Sequence, residues 1–288
     1  MYLLPRPQEM LLQDNVFYVD YTAEICIDPE ASPEWLHYAS LLQKEIEQDT
    51  GFHLNINRNL PVFQTPSILL KSTSGHSQQE YTLRIRESGI LLTASSNSGM
   101  LYAIQTLRQI IRQEGACLPG LDIHDFPVIS NRGLYYDVTR SRIPTLSYLK
   151  KMADTLSFYK INQLHLYIEH TYMFRNLSEV WRDDTPLTSS DILELDRYCA
   201  DLGIELVPSI ASFGHLYKIL RTKSFRHLCE REDLCEEPFG FIDRMEHHTI
   251  DVSNEESFSF IWSLIEEYLP LFRSDKFNIC GDETFDLG

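Results

Sequence analysis

The sequence predicts an α/β protein in two parts: a small α+β domain over residues 1–126, then the first half of a TIM (β/α)8-type barrel over residues 127–288. Three observations lead there. Before residue 127, short strands, a hairpin and amphipathic helices are mixed without a repeating order. After it, strand-like runs alternate with helical stripes, the pattern of parallel strands joined by crossover helices. The ends of these later strands all carry polar or ionisable side chains, and strand ends are where a β/α barrel builds its site.

In the first part, residues 16–19 and 23–27 read as short strands. Ser32-Pro33 is expected to open a helix, with Ser32 as N-cap, and Gly51 to close it. Residues 67–70 read as another strand. Tyr81 to Arg86 alternates apolar and polar residues, and Gly89 turns the chain into 90–94, which makes a hairpin. Residues 98–112 form a helix with Leu101, Ala103, Ile104, Leu107, Ile110 and Ile111 on its apolar face.

In the second part, residues 134–138, 164–168, 204–208 and 277–280 are the predicted strands. Leu149, Met152, Ala153 and Leu156 mark the first helix between them. The second covers 188–202, with Thr188 and Asp191 as a capping box and Gly203 at the C-cap. A polar insertion, most charged between Arg231 and His248, separates the third strand from the last helix. That helix is capped within Ser253 to Glu256, and its core face is expected to be Phe258, Ile261, Trp262, Ile265 and Leu269. Four such units are half of an eightfold barrel, and a barrel must close to remove its edges, so the chain is expected to be an N-terminal piece of a longer protein.

A formal net charge of -17 repels phosphate backbones and anionic lipid, so no nucleic-acid and no membrane partner is expected. No apolar stretch is long enough to span a bilayer, and residues 1–7 lack a basic segment followed by an apolar one, which predicts a cytoplasmic location. None of the cysteines forms a C-x-x-C pair, so they read as reduced thiols rather than zinc ligands.

The chemistry concentrates at four strand ends. Asp137, Thr139, Arg140 and Arg142 follow the first, and Glu169, His170 and Tyr172 the second. Ser212, Gly214 and His215 follow the third, and Asp282 and Glu283 the fourth. Neighbouring side chains on a regular strand face opposite ways, but a turn at the strand end, eased by Gly281, lets Asp282 and Glu283 look into one cleft. Two carboxylates in one site divide acid and base roles when their surroundings separate their pKa values. The same pair also suits a solvated loop or a helix N-cap.

Taken in order, these segments resemble glycoside hydrolase family 20, the β-N-acetylhexosaminidases. Tyr81 to Gln109, with Gly99, Tyr102 and Thr106-Leu107, resembles the end of the family's accessory domain, and Asp125-Phe126-Pro127 with Arg132-Gly133 the junction into the barrel. Asp137-Val138-Thr139-Arg140, Lys160 to Leu166, Gly203 to Pro208 with Gly214-His215, and Gly281-Asp282-Glu283 resemble the first to fourth strand motifs. The resemblance implies an exo-glycosidase that removes terminal β-linked N-acetylglucosamine or N-acetylgalactosamine with retention, the substrate's acetamido oxygen acting as nucleophile. It implies that Glu283 is the general acid and base, its pKa raised by partial burial and by Asp282. Asp282 would orient the acetamido N–H and steady the oxazolinium-like charge. Arg140 would bind sugar hydroxyls with its rigid fork of donors. His215 would tune the proton balance of Glu283, and no metal or organic cofactor is implied.

The chain departs from the family pattern at two turns. Glu169-His170-Thr171 stands where an Asp-rich turn is usual, so the acidic partner of His215 is expected to be either lost or replaced by Glu169, and Ala211 stands at a usually acidic position. The family's aromatic pocket walls come from later strands, so these 288 residues alone are expected to show little activity. The altered turns favour a second reading, a non-catalytic carbohydrate-binding relative. A third would make His170, His215, Glu169 and Asp282 metal ligands, in a spacing that matches no metal motif.

Overall fold

A computed structural model describes residues 1–60, 66–140, 142–240, 242–243 and 247–287. Part of the charged stretch after Arg231 therefore lies outside the described residues. The chain divides into two compact units. The first takes in Met1–Arg132, Thr155–Ile161 and Asp201–Gly203; the second takes in Gly133–Asp154, Asn162–Ala200 and Ile204–Gly288. Among the described residues no helix is long and apolar enough to cross a membrane.

The first unit is a seven-stranded mixed sheet packed with two long helices. Its strands are β1 (Glu9–Tyr18), β2 (Glu24–Ile27), β3 (Asn55–Asn57), β4 (Ser67–Ser72), β5 (Tyr81–Arg86), β6 (Gly89–Ala94) and β7 (Cys117–Asp125), in the order β1-β7-β5-β6-β4-β2-β3. The expected hairpin is the β5–β6 pair, antiparallel from Tyr81 opposite Ala94 to Arg86 opposite Gly89. Helix α2 (Asn97–Glu114) is capped by Ser96, whose hydroxyl accepts from the Gly99 amide, and it buries its whole predicted stripe. Helix α1 (Trp35–Thr50) ends at Gly51 in the left-handed region, as expected. Its start differs. Tight turn bonds from Trp35 N to Ser32 O and from Leu36 N to Pro33 O precede it, and the Ser32 hydroxyl bonds Glu34 instead of capping a helix amide. Strands β3 and β7 were not anticipated.

The second unit holds β8 (Gly133–Asp137), β9 (Gln163–Tyr167) and β10 (Glu205–Val207), parallel and adjacent in chain order. Helices α3 (Leu146–Phe158), α4 (Ser178–Trp181), α5 (Ser189–Asp201), α6 (Tyr217–Leu220) and α7 (Glu255–Tyr268) follow them along the chain. Such parallel β/α units are those of a TIM-type barrel. The Thr188–Asp191 capping box is formed in both directions: Asp191 accepts from the Thr188 amide, and the Thr188 hydroxyl accepts from the Asp191 amide.

Two expectations are corrected here. The fourth strand is reduced to one parallel bridge, Ser209 to Asn278, held by Asn278 N to Pro208 O (3.0 Å) and Ile210 N to Asn278 O (3.1 Å). Its neighbour Ile279 is half exposed, so 277–280 is not the buried run its composition suggested. Helix α7 buries Ser257, Phe260, Leu264 and Tyr268, and leaves Phe258 and Trp262 exposed. The helix carries two apolar rows. The row that packs inward is the one whose Tyr268 meets Tyr172, Phe174 and Phe272 in an aromatic cluster with ring spacings of 4.7–6.0 Å.

Candidate active site

Register places Tyr135 opposite His165 and Asp137 opposite Tyr167, so alternate residues of β8 and β9 bring polar and aromatic groups to one face. Just past β8 the Asp137 carboxylate ties down the turn. Asp137 accepts from the amides of Thr139 (2.8 Å) and Arg140 (3.1 Å), and the Arg140 guanidinium closes on its other oxygen at 2.7 Å. Burial alone would raise the Asp137 carboxyl, but these three donors hold it below its ordinary value. Burial likewise works against the Arg140 charge, yet Asp137 and Glu169, the latter at 3.3 Å, raise its pKa further. Arg140 therefore stays a fixed cation, stacked 4.9 Å over the ring of Tyr167.

Tyr167 links the two ends of the site. Its hydroxyl donates to Glu169 at 3.1 Å. Burial, then the Glu169 charge, pushes the phenol pKa far up, so it acts only as a protonated donor. Its ring meets His215 edge-on at 6.4 Å. The His215 side chain is 3% exposed, and its Nε2 lies 3.3 Å from Asp282 Oδ2 and 3.2 Å from Glu283 Oε2. Neither approach is aligned as a hydrogen bond. The two carboxylates are about half exposed, at 54% and 48%.

Three non-glycine residues here adopt left-handed backbone: His215 (φ 59°), Cys280 (φ 48°) and Glu283 (φ 50°). The turn freedom assigned to Gly281 is thus carried by its neighbours. The Gly that matters for close approach is Gly214, where a Cβ would sit 3.0 Å from Asp282 O and 3.1 Å from Glu283 O. Cys280 is buried, with its sulfur 3.0 Å from Ser209 Oγ and 3.2 Å from the Tyr135 hydroxyl, which anchors the segment just before the acids.

The structure thus brings His215, Asp282 and Glu283 into contact and connects them through Tyr167 to Arg140 and Glu169. It does not pair Glu169 with His215. Glu169 is held by Arg140, Tyr167 and, at 3.7 Å, His170 Nδ1, so Tyr167 occupies the place between them. Ala211 is buried, its amide bonded to Ile168 O, where a carboxylate would find no solvent. The four residues weighed as metal ligands do not converge, and no such group of three or more exists among the described residues. Sequence reading missed Tyr135 and Tyr167, which it treated as strand filling. The alternation His165, Tyr167, Glu169 was the available signal for an inward polar row.

Parallel β/α units with paired acids past a strand end have the layout of a β/α-barrel enzyme domain. The chain belongs to glycoside hydrolase family 20: residues 1–126 match the family model described as Glycosyl hydrolase family 20, domain 2, and residues 130–287 match Glycosyl hydrolase family 20, catalytic domain. It is similar to a beta-hexosaminidase of Porphyromonas gingivalis (25% identity over 98% of this chain and 38% of that protein). A beta-hexosaminidase of Akkermansia muciniphila is 26% identical over 91% of this chain and 52% of its own length. The chain spans about two-fifths to half of the length of these relatives. In fold it is similar to the GH20 beta-N-acetylhexosaminidase from Streptomyces coelicolor A3(2), with a TM-score of 0.85 at 22% identity over 99% of this chain and 60% of that one. The beta-N-acetylhexosaminidase from Bacteroides fragilis gives a TM-score of 0.77 at 20% identity over 97% of this chain and 56% of that one.

Proposed function

We propose that this chain carries the acid–base half of the site of an exo-glycosidase acting on terminal β-linked N-acetylglucosamine or N-acetylgalactosamine. The observation that carries the reading is His215 Nε2 within 3.3 Å of both Asp282 and Glu283, in a line of contacts that runs through Tyr167 to Arg140. Relatives over most of the chain are named beta-hexosaminidases, which supports the substrate class.

In this reading Glu283 protonates the leaving glycosidic oxygen and then takes the proton of the attacking water. The substrate's acetamido oxygen attacks the anomeric carbon, the departure from the two-carboxylate scheme noted for this type of hydrolase. Asp282 holds the acetamido N–H and offsets the positive charge that develops on the ring it closes. His215, packed beneath both acids, fixes their separation. Arg140, its charge secured by Asp137 and Glu169, offers its outward donors to sugar hydroxyls.

The test is hydrolysis, by a complete protein that includes the later barrel strands, of nitrophenyl N-acetyl-β-glucosaminide, its galacto epimer and nitrophenyl β-glucoside. Cleavage of the first two and not of the third is expected, because the glucoside lacks the internal nucleophile. Equal cleavage of the glucoside would remove substrate assistance. A second reading, a sugar-binding relative without turnover, is favoured by one feature: Glu169 is committed to Arg140 and Tyr167, so His215 has no acid partner besides the pair it would serve. Binding of the amino sugar with no release of nitrophenol would decide for it.

A further inference from the structure

The polar insertion after β10 carries two thiols that the candidate site does not use. Cys229 and Cys235 are free, and both are buried, Cys229 at 6% exposure and Cys235 at 0%. A turn of 3-10 helix at Glu232–Leu234 folds the chain back between them. Both thiols reach the Arg231 carbonyl oxygen, at 3.6 Å from Cys229 and 3.5 Å from Cys235. Arg226 O ties the same two residues, accepting from the Cys229 amide at 3.0 Å and from the Cys235 thiol at 3.9 Å. The hydrogen bond with Cys235 is the first influence on the Cys229 thiol and outweighs burial, so the Cys229 pKa falls below its ordinary value. The same contact, joined by burial, pushes Cys235 far up. One sulfur is thus readied as a thiolate while the other keeps its proton.

These sulfurs stand at the outer end of a backbone ladder. Cys229 forms an antiparallel bridge with Ile250, closed by Glu230 N to Thr249 O (3.0 Å) and Asp251 N to Leu228 O (2.8 Å). The same short run also holds the segment that carries His215: Ile250 N bonds Phe213 O (2.8 Å), and Leu216 N bonds His248 O (3.2 Å). His248 Nε2 lies 3.3 Å from Cys235 O, and the His248 amide bonds Asp286, just past Glu283. The left-handed turn at His215 is therefore backed by a run of chain that Cys229 and Cys235 both touch.

We propose that Cys229 and Cys235 are a peroxide-reactive pair, a modification site whose disulfide clips the insertion and stiffens the ladder behind His215. The co-reactant is hydrogen peroxide, small enough to reach a thiol that larger disulfide reagents would not. The Cys229 thiolate attacks one peroxide oxygen, the O–O bond breaks, and the departing hydroxide takes up a proton and leaves as water. Cys229 is then a sulfenic acid. The Cys235 sulfur attacks it, the S–O bond breaks, and the hydroxyl leaves with the Cys235 proton as a second water. Two thiols are oxidised to one disulfide, and one peroxide is reduced to two waters. The step is independent of which sugar the neighbouring acids serve.

The test exposes the complete protein to hydrogen peroxide under native conditions, then maps its thiols by peptide mass and follows hydrogen exchange by segment. A Cys229–Cys235 cross-link is expected, lighter than the dithiol by two hydrogens and opened again by dithiothreitol. Exchange over 228–230 and 248–251 should slow about tenfold or more, because a covalent clip raises the cost of local opening. Cys235→Ser should stop at the sulfenic acid, which dimedone traps, and Cys229→Ser should give neither product. Exchange before peroxide reports whether each variant is folded, and alanine at the same position replaces a serine variant that is not. Native protein that keeps both thiols, or that forms the bridge only in denaturant, overturns the proposal. A disulfide that leaves exchange over 248–251 unchanged overturns the link to His215.

Discussion

The two units treat left-handed backbone in opposite ways. In the first it falls to Gly51, Gly75, Gly89, Gly115 and Gly203, with the buried Lys160 as the non-glycine. In the second, among the described residues, it falls to His215, His248, Cys280 and Glu283. Glycine enters that region without steric cost, whereas a side chain there costs of order 1–3 kcal/mol. The first unit uses such positions to turn the chain, so any side chain would be a liability. The second keeps side chains there because the side chain is what the position is for. His215 and Glu283 meet each other, and Cys280 anchors the turn that presents the acid. Three of the four strained residues of the second unit thus lie at the candidate site, whereas the left-handed glycines of the first serve its turns.

The sharpest way to break that contrast is to remove one group of each kind. In the complete protein, Glu283→Gln should lower turnover of the nitrophenyl amino-sugar by about 10²–10⁴-fold, the usual worth of a general acid–base, the role proposed for it. Its half-exposed side chain contributes little packing, so the unfolding midpoint should stay put. Ile104→Ala, at a fully buried position of α2, should do the reverse: a loss of about 2–5 kcal/mol in stability. Its kcat should not change below the melting range. A Glu283→Gln protein that unfolds as early as Ile104→Ala would make the acid pair structural.

A smaller effect separates the units by pH. In the first unit Glu45 is buried beneath Arg108 and Arg112. Burial pushes its carboxyl up, but the hydrogen bonds and charges of the two arginines outweigh that and leave it below its ordinary 4.5. The unfolded chain therefore takes up the proton first. The stabilisation is complete above about pH 4.5 and drains away as pH falls through the lowered native value. Glu45→Gln should cost about 3 kcal/mol at neutral pH and flatten the acid limb of the stability curve. Asp137 in the second unit is depressed in the same direction, after its own burial penalty is overcome, and what it secures is Arg140. Acid should thus weaken the first unit's fold and the second unit's proposed sugar clamp. Segment-resolved hydrogen exchange against pH checks the first. Sugar binding against pH checks the second, and an acid limb unchanged in Glu45→Gln would assign the lability elsewhere.

What the sequence made legible follows the reach of the forces involved. The β5–β6 hairpin, the α2 stripe, the Thr188–Asp191 box and the Gly51 stop are local patterns, written within a few residues of where they act. Strand β7 pairs with β1 and β5 across long stretches of chain and carries Pro119 and Gly120, so neither propensity nor alternation marked it. The inward face of α7 was misread because two rows compete, and only the distant rings of Tyr172 and Phe174 decide between them. At the site, Arg140, Glu169, His215, Asp282 and Glu283 stood out as polar groups just past strand ends. Tyr167 did not, since an aromatic inside a strand has the same appearance whether it fills a core or carries a contact line. That Glu169 answers to Arg140 rather than His215 is a matter of three-dimensional spacing, which no one-dimensional pattern contains.

The finest test uses two glycines, neither left-handed, at which a Cβ would press on backbone oxygens. A Cβ on Gly99, near the start of α2, would meet Glu80 O at 2.5 Å and Ala94 Cβ at 3.1 Å, against strand-end backbone that cannot retreat. Gly99→Ala should forfeit the usual helix gain of alanine and lower stability by about 1–3 kcal/mol, an overpacking cost. A Cβ on Gly214 would meet the carbonyl oxygens of Asp282 and Glu283 at 3.0 and 3.1 Å, so their backbone must yield by a few tenths of an ångström. The yielding segment is the one that aims the acids, and misplacement of about 1 Å is enough to cost 10²-fold in rate. A shift of a few tenths should therefore lower kcat about tenfold, with KM nearly constant and the melting midpoint within a degree or two. If Gly214→Ala instead melts early and keeps its kcat, the close approach at Gly214 is packing of the same sort as at Gly99, and the division between a chemical and a scaffolding unit would have to be redrawn at the backbone.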